Sequence, residues 1–305
     1  MKVFITGATG FVGGHMLSSL RGAGHSIHAL VRPGSESKLP FLEGVTVIYG
    51  DIADPNVWAA KLKGMDAIIH LVGIIREFPR EGATFERMHF EATRNILDAT
   101  KQNSVKRYVH MSANGVSEEG VSEYQTTKRR AEKLVEESGL SWTIFRPSVI
   151  FGDSGDKMEF TRELATIISK APVMPIFGDG AYQMEPVAVE DVAACFVNAL
   201  TEPQSENRIF HLGGGTPLSY YDVVQTIGKA VGKVRTKTVN VPFGMVKPVA
   251  ALMGGFKFFP VTVDQLNMLR QGNVCPEHDF KEVFGLKSKP FTYKNLEYLG
   301  EMFRK

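Results

Sequence analysis

Tyr124 and Lys128 stand four residues apart in a stretch that reads helical through Arg129, Ala131, Glu132 and Leu134, so both side chains face the same way. Such a pair can handle one proton. A neighbouring ammonium favours tyrosinate and lowers a phenol pKa from about 10 toward working pH. The tyrosine then serves as general base for oxidising an alcohol or general acid for reducing a carbonyl. The spacing alone is weak, because with 8 tyrosines in the chain a lysine four residues later is expected by chance roughly half the time.

A second constellation is stronger. Thr6-Gly7-Ala8-Thr9-Gly10-Phe11-Val12-Gly13 follows an apolar run and opens a helical pattern. Glycines there permit a tight turn and close approach of backbone to a pyrophosphate, and the helix N-terminus offers free N–H groups and a partial positive charge. Gly7, Thr9, Gly10, Phe11, Val12 and Gly13 are therefore expected to bind a dinucleotide. The end of the second strand selects which one: a carboxylate holds the ribose 2′-hydroxyl of NAD, whereas an arginine accommodates the 2′-phosphate of NADP. Leu30-Val31-Arg32-Pro33 places Arg32 there, which favours NADP over NAD, although a solvated surface cation is the commoner fate of such an arginine. Asp51, with Ile52 beside it, is read as an adenine contact or equally as a turn-forming aspartate.

The elements that must position these residues read as an α/β, doubly wound Rossmann sheet, parallel and helix-covered on both faces. Short, nearly continuous apolar runs at Val3 to Thr6, Ile27 to Val31, Val45 to Tyr49, Ala67 to Leu71, Arg107 to Ser112 and Thr143 to Arg146 suit strands buried on both sides. Helical patterns at Phe11 to Arg21 and Phe85 to Lys101 lie between them. After about Gly152 the rhythm becomes irregular, and Arg208 to Leu212 is expected to rejoin the sheet. Residues 1–152 with about 181–215 are thus expected to form the dinucleotide domain. Residues 153–180 with about 216–305 would form a smaller, interleaved substrate region.

In this order the residues resemble the short-chain dehydrogenases/reductases, in the extended and atypical branches that include NAD-dependent epimerases and dehydratases. The landmarks are the glycine loop, Asp51, His70-Leu71-Val72-Gly73, Tyr124 with Lys128, Arg146-Pro147-Ser148-Val149-Ile150, and Pro186-Val187-Ala188-Val189-Glu190-Asp191-Val192-Ala193. The resemblance implies that Tyr124 exchanges the proton while Lys128 holds the nicotinamide ribose. Leu71, Val72 and Gly73 would line the cofactor, and Pro147, Ser148, Val149 and Ile150, in a loop at a strand's carboxyl end, would lie against the nicotinamide. Family catalysts carry a serine or threonine just after the fifth strand. Here His110-Met111-Ser112-Ala113-Asn114-Gly115 puts Ser112 at the first small residue and Asn114 nearest the usual hydroxyl, where an amide could polarise a carbonyl. More narrowly, His70 to Glu77, Val263-Asp264-Gln265-Leu266 and Gly272-Asn273-Val274 resemble the atypical group related to an accessory subunit of respiratory complex I. Two readings follow: an oxidoreductase or epimerase-like enzyme on an unidentified alcohol or carbonyl, and a dinucleotide-binding scaffold or assembly factor with little or no chemistry.

Other features are bounded by composition and pattern. His70 reads as hydrogen-bonded structure at a strand end, Arg146 as half of a buried ion pair and Asp191 as a helix N-cap. With 43% hydrophobic and 22% charged residues and a net charge of +2, nothing calls for a nucleic-acid partner. Cys195 and Cys275 match no metal-ligand spacing and suit reduced thiols, so a cytoplasmic protein binding no metal is expected. No uninterrupted window approaches a membrane span. From Val241 to Val263, however, Phe243, Met245, Val246, Val249, Leu252, Met253, Phe256, Phe258 and Phe259 accompany two lysines. This reads first as a packed helix, and second as an apolar ligand wall or peripheral membrane contact suited to an apolar small-molecule substrate such as a quinone. Monomer and homodimer both remain open.

Overall fold

The computed structural model describes residues 1–157, 159–253 and 261–303. Along the chain the strands are β1 (Lys2–Thr6), β2 (Ser26–Val31), β3 (Val45–Tyr49), β4 (Ala67–His70), β5 (Arg107–Met111), β6 (Ser141–Pro147), β7 (Ile150–Phe151), β8 (Met174–Phe177), β9 (Gln183–Met184), β10 (Val187–Ala188), β11 (Arg208–Leu212), β12 (Leu218–Ser219) and β13 (Thr238–Val241). Seven of them make one sheet in the order β11-β6-β5-β4-β1-β2-β3. Every neighbouring pair in it is parallel. β11 joins beside β6 as expected. Strand order reverses between β1 and β4, so a crevice opens at their carboxyl ends, where such folds bind ligands.

Helices α1 (Phe11–Gly22), α2 (Pro55–Trp58), α3 (Ala92–Gln102), α4 (Glu123–Glu136), α5 (Phe160–Lys170), α6 (Val189–Ala199), α7 (Tyr220–Ala230), α8 (Phe243–Met253), α9 (Val263–Gln271), α10 (Phe280–Phe284) and α11 (Glu297–Glu301) cover the sheet and build the smaller region. Alternation along the strands sorts the core. Val3, Ile5, Ile69, Val109 and Phe145 pack with Met16, Leu17 and Leu20 of α1 and Phe196 of α6. Phe4, Ile68, Tyr108 and Ile144, one residue out of phase, pack with Trp58, Ile96 and Val135 of α2, α3 and α4. Each such side chain contributes about 1.5–3 kcal/mol on burial, so a one-residue slip of any strand would exchange both faces at a prohibitive cost.

Several expectations need correction. The helix read from Phe85 to Lys101 begins as a π-helical segment, Glu86–Glu91, before α3. Asp191 is no N-cap: Ala188 holds that position in α6, and Asp191, inside the first turn, accepts from the Lys289 backbone N–H at 2.8 Å. The division of residues is crossed from both sides. Phe151 and Met184 pack in the smaller region's core, and Phe280 and Phe284 return to the sheet, with Phe284 5.8 Å from Phe145 and 5.2 Å from Phe210 between ring centres. α8 buries Ala250, but Met245, Val249 and Leu252 are exposed, so it is packed on one side only. Phe256, Phe258 and Phe259 lie outside the described residues.

Candidate active site

The glycine loop is built for close approach. Gly7 has φ +78°, and a β carbon there would sit 3.0 Å from the Leu71 carbonyl carbon, on the loop leaving β4. At Gly13 a β carbon would fall 2.2 Å from the Gly7 carbonyl oxygen, which already accepts the Gly10 N–H at 3.0 Å. α1 starts with Gly10 at its cap, no side chain bonding its first N–H groups and no acidic residue in its first turn. Those N–H groups and the positive end of the helix dipole are therefore left for an anion, and the cradle fits a dinucleotide pyrophosphate. Gly10 is exposed and Thr9 and Phe11 half-buried, whereas Val12 and Gly13 are buried.

The adenosine end is less committed. Arg32 is exposed at the end of β2, with no carboxylate in its run. Asp51 Oδ1 accepts from the Ala53 N–H at 2.8 Å, which is the turn-forming alternative. Ile52 turns its side chain into the core with Leu30 and Trp58, and its carbonyl accepts from Asn95 Nδ2 at 3.1 Å.

At the other end of the crevice, Lys128 Nζ donates to the Met111 carbonyl at 3.1 Å and lies 5.8 Å from the Tyr124 ring centre. It also comes within 3.2 Å of where a Gly73 β carbon would stand, which ties the loop after β4 to the pair. Burial brings the Lys128 ammonium down to about 8, against partial support from Glu132 one turn along. Burial also pushes the Tyr124 phenol up, so the expected lowering by Lys128 is not realised in the protein alone. The Tyr124 ring is held edge-on by Phe85 and His89, at 5.8 and 5.2 Å between centres.

Ser112 and Asn114 differ in what they have to spare. The Asn114 amide donates to Asn273 Oδ1 at 2.8 Å and to the Val274 carbonyl at 3.0 Å, and its oxygen faces His211 Nδ1 at 2.8 Å. All its groups are engaged, so polarising a carbonyl would require breaking one of these bonds. Ser112 Oγ is buried and has no partner among the described residues. In the next loop Ser148 Oγ donates to the Asn273 carbonyl at 2.9 Å, the Pro147 carbonyl accepts from Asn114 N–H, and Val149 and Ile150 are half-buried. Leu71 and Val72 are half-buried and Gly73 exposed along the facing loop.

Some residues of this region escaped the sequence reading. Glu132, fully buried, receives Arg146 through Nε at 2.8 Å and Nη2 at 2.6 Å, and Arg129 at 3.1 Å. This is the ion pair expected for Arg146, and the position four residues after Lys128 was the available signal. His70, as expected, is structural, with Nδ1 2.7 Å from Thr6 Oγ1 and Nε2 3.3 Å from Thr93 Oγ1. His89 bonds Thr127 Oγ1 at 2.9 Å and the Ile74 carbonyl at 2.9 Å. Burial and then the charge of Lys128 drive His70 to about 3 and His89 to about 2, so both rings are neutral. Asp264 of α9 faces the start of α4. Burial and the charges of Glu123 and Glu77 push its carboxyl up, while the Glu123 and Tyr124 N–H groups partly offset this. Among the described residues no helix is long and apolar enough to cross a membrane.

Residues 3–213 match the sequence model of the NAD dependent epimerase/dehydratase family. The chain is similar to the mitochondrial NADH-ubiquinone oxidoreductase 40 kDa subunit of Neurospora crassa, at 23% identity over 84% of this chain and 67% of that protein. It is 30% identical to the ceramide reductase of Caulobacter vibrioides over 64% of this chain and 59% of the reductase, so the match spans about three fifths of that relative. A 3 beta-hydroxysteroid dehydrogenase/Delta 5-->4-isomerase of Mycobacterium tuberculosis is 26% identical over 76% of this chain and 70% of its own. Among solved structures, MoeE5 in complex with UDP-glucuronic acid and NAD superposes with a TM-score of 0.78 at 21% identity, covering 99% of this chain and all of that one. A UDP-glucose 4-epimerase from Thermotoga maritima gives 0.77 at 19%, covering 100% and 99%. At these identities the structures speak to the fold.

Proposed function

The chain belongs to the NAD dependent epimerase/dehydratase family, and from that premise we propose that it is an NADP-dependent oxidoreductase acting on an apolar alcohol or carbonyl, with Tyr124 as the acid/base. The observation that carries this reading is the placement of Lys128, beside Tyr124, on the Met111 carbonyl at the carboxyl end of β5, next in the chain to Ser112, whose hydroxyl has no partner among the described residues. When bound, the dinucleotide supplies or accepts the hydride. Tyr124 gives the proton to the reacting oxygen in reduction and takes it in oxidation. Lys128 holds the ribose, and the positive charge brought by an oxidised nicotinamide helps to offset the burial that keeps the phenol protonated. Ser112 rather than Asn114 donates to the substrate oxygen. Arg32, exposed and with no carboxylate ion pair among the described residues, favours NADP over NAD.

An apolar substrate is supported by α8. Its exposed Met245, Val249 and Leu252 lie within one arc of about 100° on a helix packed against α9, whose first turn faces Tyr124. Such an apolar stripe supports a peripheral contact with a lipid surface as the source of the substrate. The relatives named for ceramide and steroid chemistry agree with it. The second reading, a dinucleotide-binding scaffold, is favoured by the engaged Asn114 amide and the likeness to a complex I subunit. Calorimetric titration with NADPH and NADH, for wild type and Arg32→Ala, separates these claims in sequence. Tight NADPH binding weakened about tenfold by the substitution is expected, with NADH unaffected. A screen of apolar ketones should then find turnover that Tyr124→Phe removes while leaving NADPH affinity intact. Binding without any turnover would favour the scaffold.

A further inference from the structure

Loop 152–157, which leaves β7 toward α5, lies along the first turn of α1. Three contacts hold it there. Gly152 lies so close to Val189 and Phe11 that a β carbon would come within 2.3 and 3.6 Å of them, His15 Nε2 donates to the Asp153 carbonyl at 2.7 Å, and Lys157 Nζ donates to the Gly10 carbonyl at 3.1 Å. The last of these is energetically unusual. An ammonium beside a helix N-terminus faces the positive end of the dipole, where anions are stabilised and cations are not. Lys157 is also half-buried, its ammonium is lowered by burial with no charged neighbour to offset it, and no carboxylate among the described residues pairs with it. A surface lysine with free choice of rotamer would point into solvent.

We propose that Lys157 is a cofactor-binding residue whose ammonium, held against the glycine loop, takes a pyrophosphate oxygen of the dinucleotide. An anion between the α1 N-terminus and Lys157 turns the unfavourable pairing into two favourable ones. The phosphate accepts from the first N–H groups of the helix on one side and from the lysine on the other, and the exposed side of the glycine loop is closed. Loop 152–157 would thereby act as a clasp on the phosphate, set apart from the 2′-phosphate contact assigned to Arg32. The assignment rests on the dinucleotide site, and the two fail separately in the test.

Calorimetric titration of the full chain with NADH, NADPH and adenosine, in wild type, Lys157→Met, Arg32→Ala and His15→Ala, reads the proposal directly. Lys157→Met is expected to weaken NADH and NADPH by the same factor, about tenfold, to reduce the salt dependence of binding and to leave adenosine unchanged. Arg32→Ala affects NADPH alone. His15→Ala loosens the same loop without removing the charge and stays within about threefold of wild type, and all variants keep the wild-type melting temperature within a few degrees. If Lys157→Met binds both dinucleotides as wild type does, or loses NADPH selectively, the pyrophosphate assignment is overturned. Equal losses in His15→Ala and Lys157→Met would overturn it too, because loop placement and not the ammonium would then set affinity. Failure of the wild type to bind either dinucleotide would overturn the site as well as the clasp.

Discussion

Four polar residues on and just after β5 illustrate how burial without a partner differs from burial with one. Asn114, just past the strand, spends every group of its amide on the chain, whereas Tyr108 Oη, both His110 ring nitrogens and Ser112 Oγ are buried with no partner among the described residues. For Ser112 the freedom suits the substrate-oxygen contact proposed above. Tyr108 lies deeper, among Phe4, Ile68 and Ile144, where a hydroxyl without a partner costs about 1–3 kcal/mol of desolvation. Tyr108→Phe keeps the ring and removes the oxygen, so it should be neutral or stabilising by about 1 kcal/mol in urea denaturation. A loss of more than 1 kcal/mol would mean that the hydroxyl is satisfied by ordered water. None of these commitments was legible beforehand. A residue type and its place after a strand say that a side chain is available, and only the packing of distant segments says whether it is already engaged.

At the level of elements, the polar side chains that cross from β4 to β5 and into the Glu86–Glu91 segment form a layer of neutral histidines around Lys128. His70 and His89, held near 3 and 2 by burial and then by the lysine, sit far below the 6.5 of an unfolded chain. The unfolded state therefore binds more protons below about pH 6.5, and the stability present above that pH is lost as pH falls toward 3. The melting temperature should drop between pH 7 and pH 4, with a shallower slope in a His70→Gln, His89→Gln double variant. A flat wild-type profile would contradict neutral burial. The sheet was readable from sequence because its central strands, buried on both faces, are continuously apolar, and even the partly exposed edge strands β3 and β11 were located to the residue. The π-helical turn was not, since Phe85 to Lys101 keeps a helical hydrophobic period whichever carbonyl each N–H reaches. The Asp191 reading failed for a related reason: an acid near a helix start satisfies N-cap and first-turn positions equally well.

For the molecule as a whole, the weight falls on the long reach of the C-terminal segment. Glu185, fully buried, accepts from the Gly215 and Cys275 N–H groups at 2.6 and 2.9 Å and pairs with His278. It thereby fastens residues 275–278 to the turn after β11. Glu185→Ala would leave the buried Cys275 N–H unpaired and release Gly215 and His278, with an expected loss of about 1–3 kcal/mol in denaturant unfolding and faster amide exchange at 213–215 and 273–278. Unchanged exchange there would show that Glu185 is not the fastening. The two-region division read from the sequence could not anticipate this, because a buried glutamate and a chain that doubles back leave no compositional boundary. The tight turn of the glycine loop, by contrast, was legible because its three glycines lie within the first 13 residues and each has a steric reason to be there.

The bond between Asn114 and Asn273 spans 159 positions. At about 5–20 residues per second on a ribosome, roughly 8–30 seconds separate the synthesis of its two ends. The glycine loop is thus synthesised long before Asn273, and the end of β5 waits for its last partner until the C-terminal segment emerges. Under the proposed function, assembly in that order makes the dinucleotide an early ligand of folding as well as a reagent, and leaves the loop after β5 to be closed last.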